Sequence, residues 1–189
     1  MELKNYSLIK IVLSGPTNSG KSSILERYIC NNFNTEYNYT VGVDFKYKLI
    51  KNPNHNIKLH LWDTCGLKHF RDLIKLYYND ANIIIYTFDA SDKQSETECI
   101  DCINIYEMKP EVNLYLIGNK IDLNEGYELS NELQKLCDER NIKFFKCSAK
   151  TGYNIKEIFE EIISNFKIIN GINLGTLGPI EYIKSKCVN

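Results

Sequence analysis

Six short runs rich in Ile, Val, Leu, Tyr and Phe alternate along this chain with longer amphipathic stretches. The runs fall at residues 8–13, 44–50, 57–62, 83–89, 112–118 and 143–147. Four of them (8–13, 83–88, 112–117 and 143–147) are nearly continuous in apolar residues, the pattern of strands covered on both faces. Helical spacing is read at 21–30, after Lys68, and at 91–108, 130–140 and 155–169. Ser130, followed by Glu132, Leu133 and Leu136, has the form of a capped amphipathic helix. Such alternation predicts an α/β domain with a mostly parallel sheet. Runs 44–50 and 57–62 are the exception, because their connector "KNPNHN" is too short for a crossover helix and rich in turn formers. They should form an antiparallel hairpin at the sheet edge. The expectation is therefore a six-stranded, mostly parallel sheet with one antiparallel edge strand and about five helices, spanning residues 1–169. Residues 170–189 hold three of the ten glycines without helical period and read as a flexible tail.

Composition narrows the function classes. A net charge of −1 argues against bulk electrostatic capture of nucleic acid or anionic membrane. The N-terminal "MELKNYSLIKIVLS" does not read as a signal peptide, and no run approaches the roughly 18 apolar residues of a membrane span. Seven scattered cysteines argue against a disulfide framework and for a reducing compartment, so a cytoplasmic setting is expected. The C-x-x-C of Cys99 and Cys102 falls inside a predicted helix with no second pair nearby, and His55, His60 and His69 lack metal-ligand spacing. No metal cage built of protein side chains alone is read.

In an open α/β sheet, ligands bind beyond the carboxyl ends of the strands. After the first run comes "GPTNSGKSS", Gly15 to Ser23, which fits G-x-x-x-x-G-K-[ST] with a strand before it and a helix after it. Gly15 and Gly20 permit a tight loop, through Asn18 and Ser19, whose backbone N–H groups point inward at phosphate oxygens. The helix N-terminus adds its positive end. Lys21 can reach the β- and γ-phosphates, and the Ser22 hydroxyl can ligate Mg²⁺. After the fifth run comes "NKID", with Asn119, Lys120 and Asp122. The Asp122 carboxylate can accept two hydrogen bonds from the N1–H and N2–H₂ edge of guanine, a donor pair that adenine lacks. After the sixth comes "SAK", where Ser148, Ala149 and Lys150 can close over the base. Asp122 and SAK disfavour an ATP-using kinase or ATPase.

Together GPTNSGKS, Thr40, DTCG, NKID and SAK resemble the Ras superfamily of small GTPases, which have the P-loop NTPase fold. "VGVDF" (41–45), "KLHLWDTCG" (58–66), "HFRDL" (69–73) and "YYNDA" (77–81) resemble its Rab family, which regulates vesicle traffic. The resemblance covers about residues 7–169 and implies GTP/GDP and Mg²⁺ as ligands. It places Phe33 at the aromatic that stacks on guanine and Tyr37 at the residue that closes over the phosphates. Thr40 matches a Mg²⁺ ligand, Asp63 the acid that holds Mg²⁺ through water, and Gly66 the backbone donor to the γ-phosphate. Switch I would run over about 32–41 and switch II over about 64–78. Phe45, Trp62 and Tyr77 match an aromatic cluster read by Rab effectors, although core packing alone also accounts for them. An exchange factor, an activating protein and a monomeric state are implied as well.

Several positions depart from that pattern, one of them at the centre of the chemistry. Leu67 stands where the superfamily usually has the glutamine that orients the attacking water. An isobutyl group cannot hydrogen-bond to water or phosphate. Cys65 replaces the usual alanine and Lys68 the usual glutamate, while Thr17 and Asn18 add bulk where small residues are common. The expectation is a switch with impaired intrinsic hydrolysis; the alternative is an essentially non-hydrolysing, GTP-bound module that sequesters effectors. The chain ends "KSKCVN", which is neither C-a-a-X nor a double cysteine. Cys187 is a candidate for a single prenyl group, giving marginal attachment to the cytosolic face of an intracellular membrane.

Overall fold

The computed structural model describes residues 6–36, 39–51, 56–105, 109–169 and 181–183. In chain order these form β1 (Tyr6–Ser14), α1 (Lys21–Cys30), β2 (Val43–Lys51), β3 (Asn56–Thr64), α2 (Arg71–Tyr78), β4 (Ile83–Asp89) and α3 (Lys93–Ile105). β5 (Asn113–Asn119), α4 (Asn131–Glu139), β6 (Lys143–Lys146), α5 (Ile155–Ile169) and β7 (Glu181–Ile183) follow. The sheet order is β6-β5-β4-β1-β3-β2-β7. The β1–β3, β1–β4, β4–β5 and β5–β6 pairs are parallel. The predicted hairpin is present, with β2 antiparallel to β3 from Val43↔Thr64 to Ile50↔Ile57. Among the described residues the six predicted strands form the expected mixed sheet with five α-helices, and a short seventh strand joins it beside β2.

β7 is the element the sequence did not announce. It pairs antiparallel with β2, Lys51↔Glu181 to Leu49↔Ile183, inside the segment read as tail. β2 is therefore outermost only over part of its length. A second departure concerns β6, expected to be covered on both faces. It lies at the opposite edge, where Phe144 and Phe145 are half-buried and Lys143 is exposed.

The continuous apolar runs are explained by two cores. Along β1, Ile9, Ile11 and Leu13 face α1 and α5, where they meet Ile24, Leu25 and Phe159. Val12 faces the other side, with Ile74 of α2, Ile100 and Ile103 of α3, and Leu133 of α4. β4 does the same, with Ile83 and Ile85 on one face and Ile84, Tyr86 and Phe88 on the other. Every β4 residue is buried, so a period-2 alternation is absent from its sequence. Each such side chain contributes about 1.5–3 kcal/mol of burial energy. Tyr28 stacks on Phe159 at 3.9 Å between ring centroids, fixing α1 against α5.

Helix ends follow local chemistry. The Ser130 hydroxyl accepts from the Leu133 N–H at 3.3 Å, the predicted cap. α3 starts two residues later than predicted because Ser91 is engaged by Asp89, through its N–H at 2.9 Å and its hydroxyl at 2.6 Å. Asp92 instead accepts from the Gln94 N–H. Cys99 lies buried on α3 with a free thiol, and among the described residues no group of three or more His, Cys, Asp or Glu side chains can hold a metal. Cys65, Cys102, Cys137 and Cys147 are also free thiols. Among the described residues, no helix is long and apolar enough to cross a membrane.

Candidate nucleotide site

A cleft of about 520 Å³ opens at the carboxyl ends of the parallel strands. Its floor is the loop between β1 and α1. Gly15 has φ +133° and packs so closely that a Cβ would lie 2.0 Å from the Thr87 carbonyl oxygen. Asn18 sits at φ 61°, a left-handed position that asparagine tolerates better than most residues, and its side chain is exposed. The Lys21 ammonium is folded inside the loop and donates to the Gly15 carbonyl at 3.0 Å, the Pro16 carbonyl at 2.8 Å and the Ser19 hydroxyl at 3.4 Å. Burial pushes the Lys21 pKa below the ordinary lysine value, with Asp63 opposing. The loop thus holds one cation in a ring of its own oxygens.

At one end of the floor, three oxygen-bearing residues from three elements converge. The Ser22 hydroxyl of α1 is 3.0 Å from that of Thr40, and Thr40 donates to the Asp63 carboxylate at 3.3 Å. Asp63 is 2% exposed and its Oδ1 is buried without a hydrogen-bond partner. Burial raises its pKa, against hydrogen bonds from Ser22 and Thr40 and the charges of Lys21 and Lys46. Two hydroxyls and an unsatisfied carboxylate form an all-oxygen donor set suited to a small, hard divalent cation.

The loops bearing Thr40 and Gly66 meet here. The Cys65 N–H donates to the Gly42 carbonyl at 2.8 Å. Gly66 lies on the phosphate loop, so close that a Cβ would come within 2.2 Å of the Thr17 nitrogen and 2.3 Å of the Pro16 carbonyl carbon. Leu67 follows in extended conformation (φ −72°, ψ 129°) and lines the cleft with Thr17, Asn18 and Gly66. Lys68, the reversed charge, reaches Glu98 of α3 at 3.1 Å. The segment carrying Leu67 is thus fastened on both sides.

The other end of the cleft is made by the loops after β5 and β6. Asn119 is 1% exposed and bridges them to the floor, donating to the Ser19 carbonyl at 2.9 Å and accepting from the Ala149 N–H at 3.0 Å. Asp122 accepts from the Ser148 hydroxyl at 2.5 Å and has Lys150 at 3.9 Å, leaving a carboxylate edge to the cleft. Lys120, at φ 63°, pairs with Asp89 at 2.7 Å. Phe33 lines the cleft and rests against the α1–α5 core.

The structure therefore brings Asn18, Gly20, Lys21, Ser22, Ser23 and Phe33 to one cavity. Thr40, Gly66, Leu67, Asn119, Lys120, Asp122, Ala149 and Lys150 line the same cavity. Gly15, Ser19, Asp63 and Ser148 are buried and support the lining residues by the contacts just given. Tyr37 and Cys187 lie outside the described residues. Phe45, Trp62 and Tyr77 do form one cluster, with ring centroids 4.9 Å apart for Phe45–Trp62 and 5.5 Å for Trp62–Tyr77. Phe45 is 42% exposed, so the cluster is a surface feature as well as packing. Sequence reasoning missed Asp89, the partner of Lys120. An acid at the carboxyl end of a strand was the available signal. It also missed Arg27, whose guanidinium donates to the carbonyls of Ala149 and Lys150 from the far side of the chain.

A mostly parallel sheet whose first strand feeds a glycine-bounded loop and a helix N-terminus, with an acid-bearing loop at the far end of the cleft, defines a P-loop nucleotide-binding protein. The comparisons narrow this. A family model described as "Ras family" matches residues 10–168. The chain is 37% identical over 164 residues to Ras-related protein RAB1BV of Beta vulgaris, covering 85% of this chain and 76% of the relative. It is 38% identical over 172 residues to Ras-related protein Rab-1 of Theileria parva (87% and 77% covered). It is 36% identical over 171 residues to GTP-binding protein ypt2 of Schizosaccharomyces pombe (88% and 86% covered). The chain belongs to the Ras family of small GTPases.

Proposed function

We propose that this chain is a Rab-like guanine-nucleotide switch of membrane traffic whose intrinsic GTP hydrolysis is slow because Leu67 occupies the water-facing position. The observation that carries the reading is Leu67 itself. It lines the cleft beside Gly66 and the phosphate loop, on a segment held by the Gly66 contact and the Lys68–Glu98 pair. In this reading Lys21, the loop amides and Gly66 hold the phosphates, Asp122 and the Ser148–Lys150 loop read guanine, and Phe33 covers the base. Ser22 and Thr40, with Asp63 behind them, would hold Mg²⁺, which supplies charge neutralisation on the phosphate oxygens.

Hydrolysis requires water to attack the γ-phosphorus as the bond to the β,γ-bridging oxygen breaks, yielding GDP and phosphate. No side-chain oxygen or nitrogen at position 67 is available to orient that water. Loss of such orientation costs ~10²-fold. Thr17 and Asn18 crowd the same rim of the cleft. Effectors would engage the Phe45–Trp62–Tyr77 cluster and the neighbouring Val41, Leu73 and Leu76, all three of which are exposed. Cys187 remains the proposed lipid attachment point, placing the active form at the cytosolic face of a membrane.

The test is single-turnover hydrolysis of loaded GTP by wild type and Leu67→Gln, with and without a Rab-directed activating protein. The backbone at 67 is ordinary extended chain that glutamine adopts freely, so the replacement should leave nucleotide affinity unchanged. Hydrolysis should rise about tenfold or more, or about 1.4 kcal/mol of transition-state stabilisation. A wild type that already matches its glutamine variant would remove Leu67 from the explanation. No turnover by wild type even with the activating protein would favour the effector-sequestering reading.

A further inference from the structure

We propose that Arg27 is a positioning residue for the base end of the nucleotide site, an inference that rests on the guanine-nucleotide reading above. Arg27 stands on α1 and does not itself line the cleft, but it bonds residues that do. Its guanidinium reaches across to the loop after β6, where Nε donates to the Ala149 carbonyl at 2.9 Å and Nη2 to the Lys150 carbonyl at 2.7 Å. Its third nitrogen, Nη1, donates to the Asn31 carbonyl at 3.0 Å and lies 3.4 Å from the Asn31 side-chain oxygen. One planar group thus ties two walls of the base end together.

The two walls are the ones that matter for the base. Asn31 is the left-handed residue (φ 52°) that ends α1, its N–H bonded back to the Arg27 carbonyl at 3.0 Å. The chain leaves the helix there and presents Phe33 to the cleft two residues later. Ala149 and Lys150 form the opposing wall, and Ala149 is further pinned by Asn119. Neither wall is joined to the other by regular secondary structure. Arg27 supplies a fork of donors in fixed geometry, which matches carbonyls of successive residues; a lysine ammonium is a point donor and cannot span them.

If Arg27 sets the span between the walls, losing it should loosen recognition of the base and leave the phosphate end intact. The full-length chain, loaded with GDP carrying a ribose fluorophore, is challenged with excess GDP or ADP for wild type, Arg27→Gln and Arg27→Lys. Wild-type preference for GDP over ADP tests the nucleotide reading on its own. For the inference, both variants should release GDP about tenfold faster or more, as expected for loss of charge-assisted hydrogen bonds. Their GDP-over-ADP preference should fall in proportion, with ADP affinity and the acceleration by Mg²⁺ chelation unchanged. Restoration by Arg27→Lys would show a charge role and overturn the geometric one. Release within twofold of wild type in either variant, or equal weakening of GDP and ADP, would also overturn it.

Discussion

Gly66→Ala isolates the contact between the segment carrying Leu67 and the phosphate loop. Gly66 has no positive φ, so alanine meets no backbone strain of its own. What it meets is main chain: a Cβ would lie 2.2 Å from the Thr17 nitrogen, 2.3 Å from the Pro16 carbonyl carbon and 2.6 Å from the Pro16 oxygen. All three are backbone atoms and cannot rotate away, and ordinary contact begins near 3.4 Å. One segment must therefore retreat from the other by about an ångström. Overpacking of this kind costs typically ~1–3 kcal/mol. The cost falls only on the arrangement in which the two loops touch, which is the one that puts the Gly66 amide beside the phosphate loop. The base end is built from the loops after β5 and β6, and none of its atoms is among those the added Cβ would meet. GDP affinity should therefore stay within a factor of two or so. The preference for GTP over GDP should drop by ~5–150-fold, the same free energy expressed as a ratio of affinities. Competition of GTP and GDP against a fluorescent nucleotide measures both. A folded Gly66→Ala protein with an unchanged GTP-to-GDP ratio would refute the claim that this contact reports the γ-phosphate.

Asp122→Asn should shift preference from guanine to xanthine nucleotides, whose C2 carbonyl suits an amide donor; competition by XDP against GDP checks it. Ser22→Asn should favour GDP-bound or empty protein, and chelating Mg²⁺ should speed release from wild type far more than from the variant. Burial pushes Lys48 down to about 8, where it donates to the Tyr28 carbonyl and stands 3.7 Å from that ring's centroid. Its unfolded value is near 10.5, so from about pH 8 to 10 the folded state releases a proton that the unfolded state keeps, and this group's contribution to stability rises with pH. In urea unfolding at pH 7.5 and 9.5, Lys48→Met should lose that rise relative to wild type.

The parts of this molecule legible in its sequence are those whose cause is local. α1 runs over 21–30 as predicted because Gly20 ahead of it and Asn31 behind it both take left-handed conformations that stop a helix. β4 matches its prediction because a strand covered on both faces needs no partner identity to be recognised. The phosphate loop is legible because its residues are contiguous. The meeting of Ser22, Thr40 and Asp63 needed the family resemblance, since nothing in the spacing brings three remote residues together. β7 is three residues long in a glycine-rich stretch, and its strand character exists only by pairing with β2. Arg27 is invisible for the same reason: its acceptors at Ala149 and Lys150 are 122 and 123 residues away.

Asn119 has both of its polar ends satisfied by protein, by Ser19 on one side and Ala149 on the other. Gly20 lies against it, where a Cβ would stand 2.2 Å from its amide nitrogen. One side chain therefore couples the two ends of the cleft: loosening it frees the phosphate loop at Ser19 and the base loop at Ala149 together, so Asn119→Ala should speed the release of any nucleotide regardless of its base.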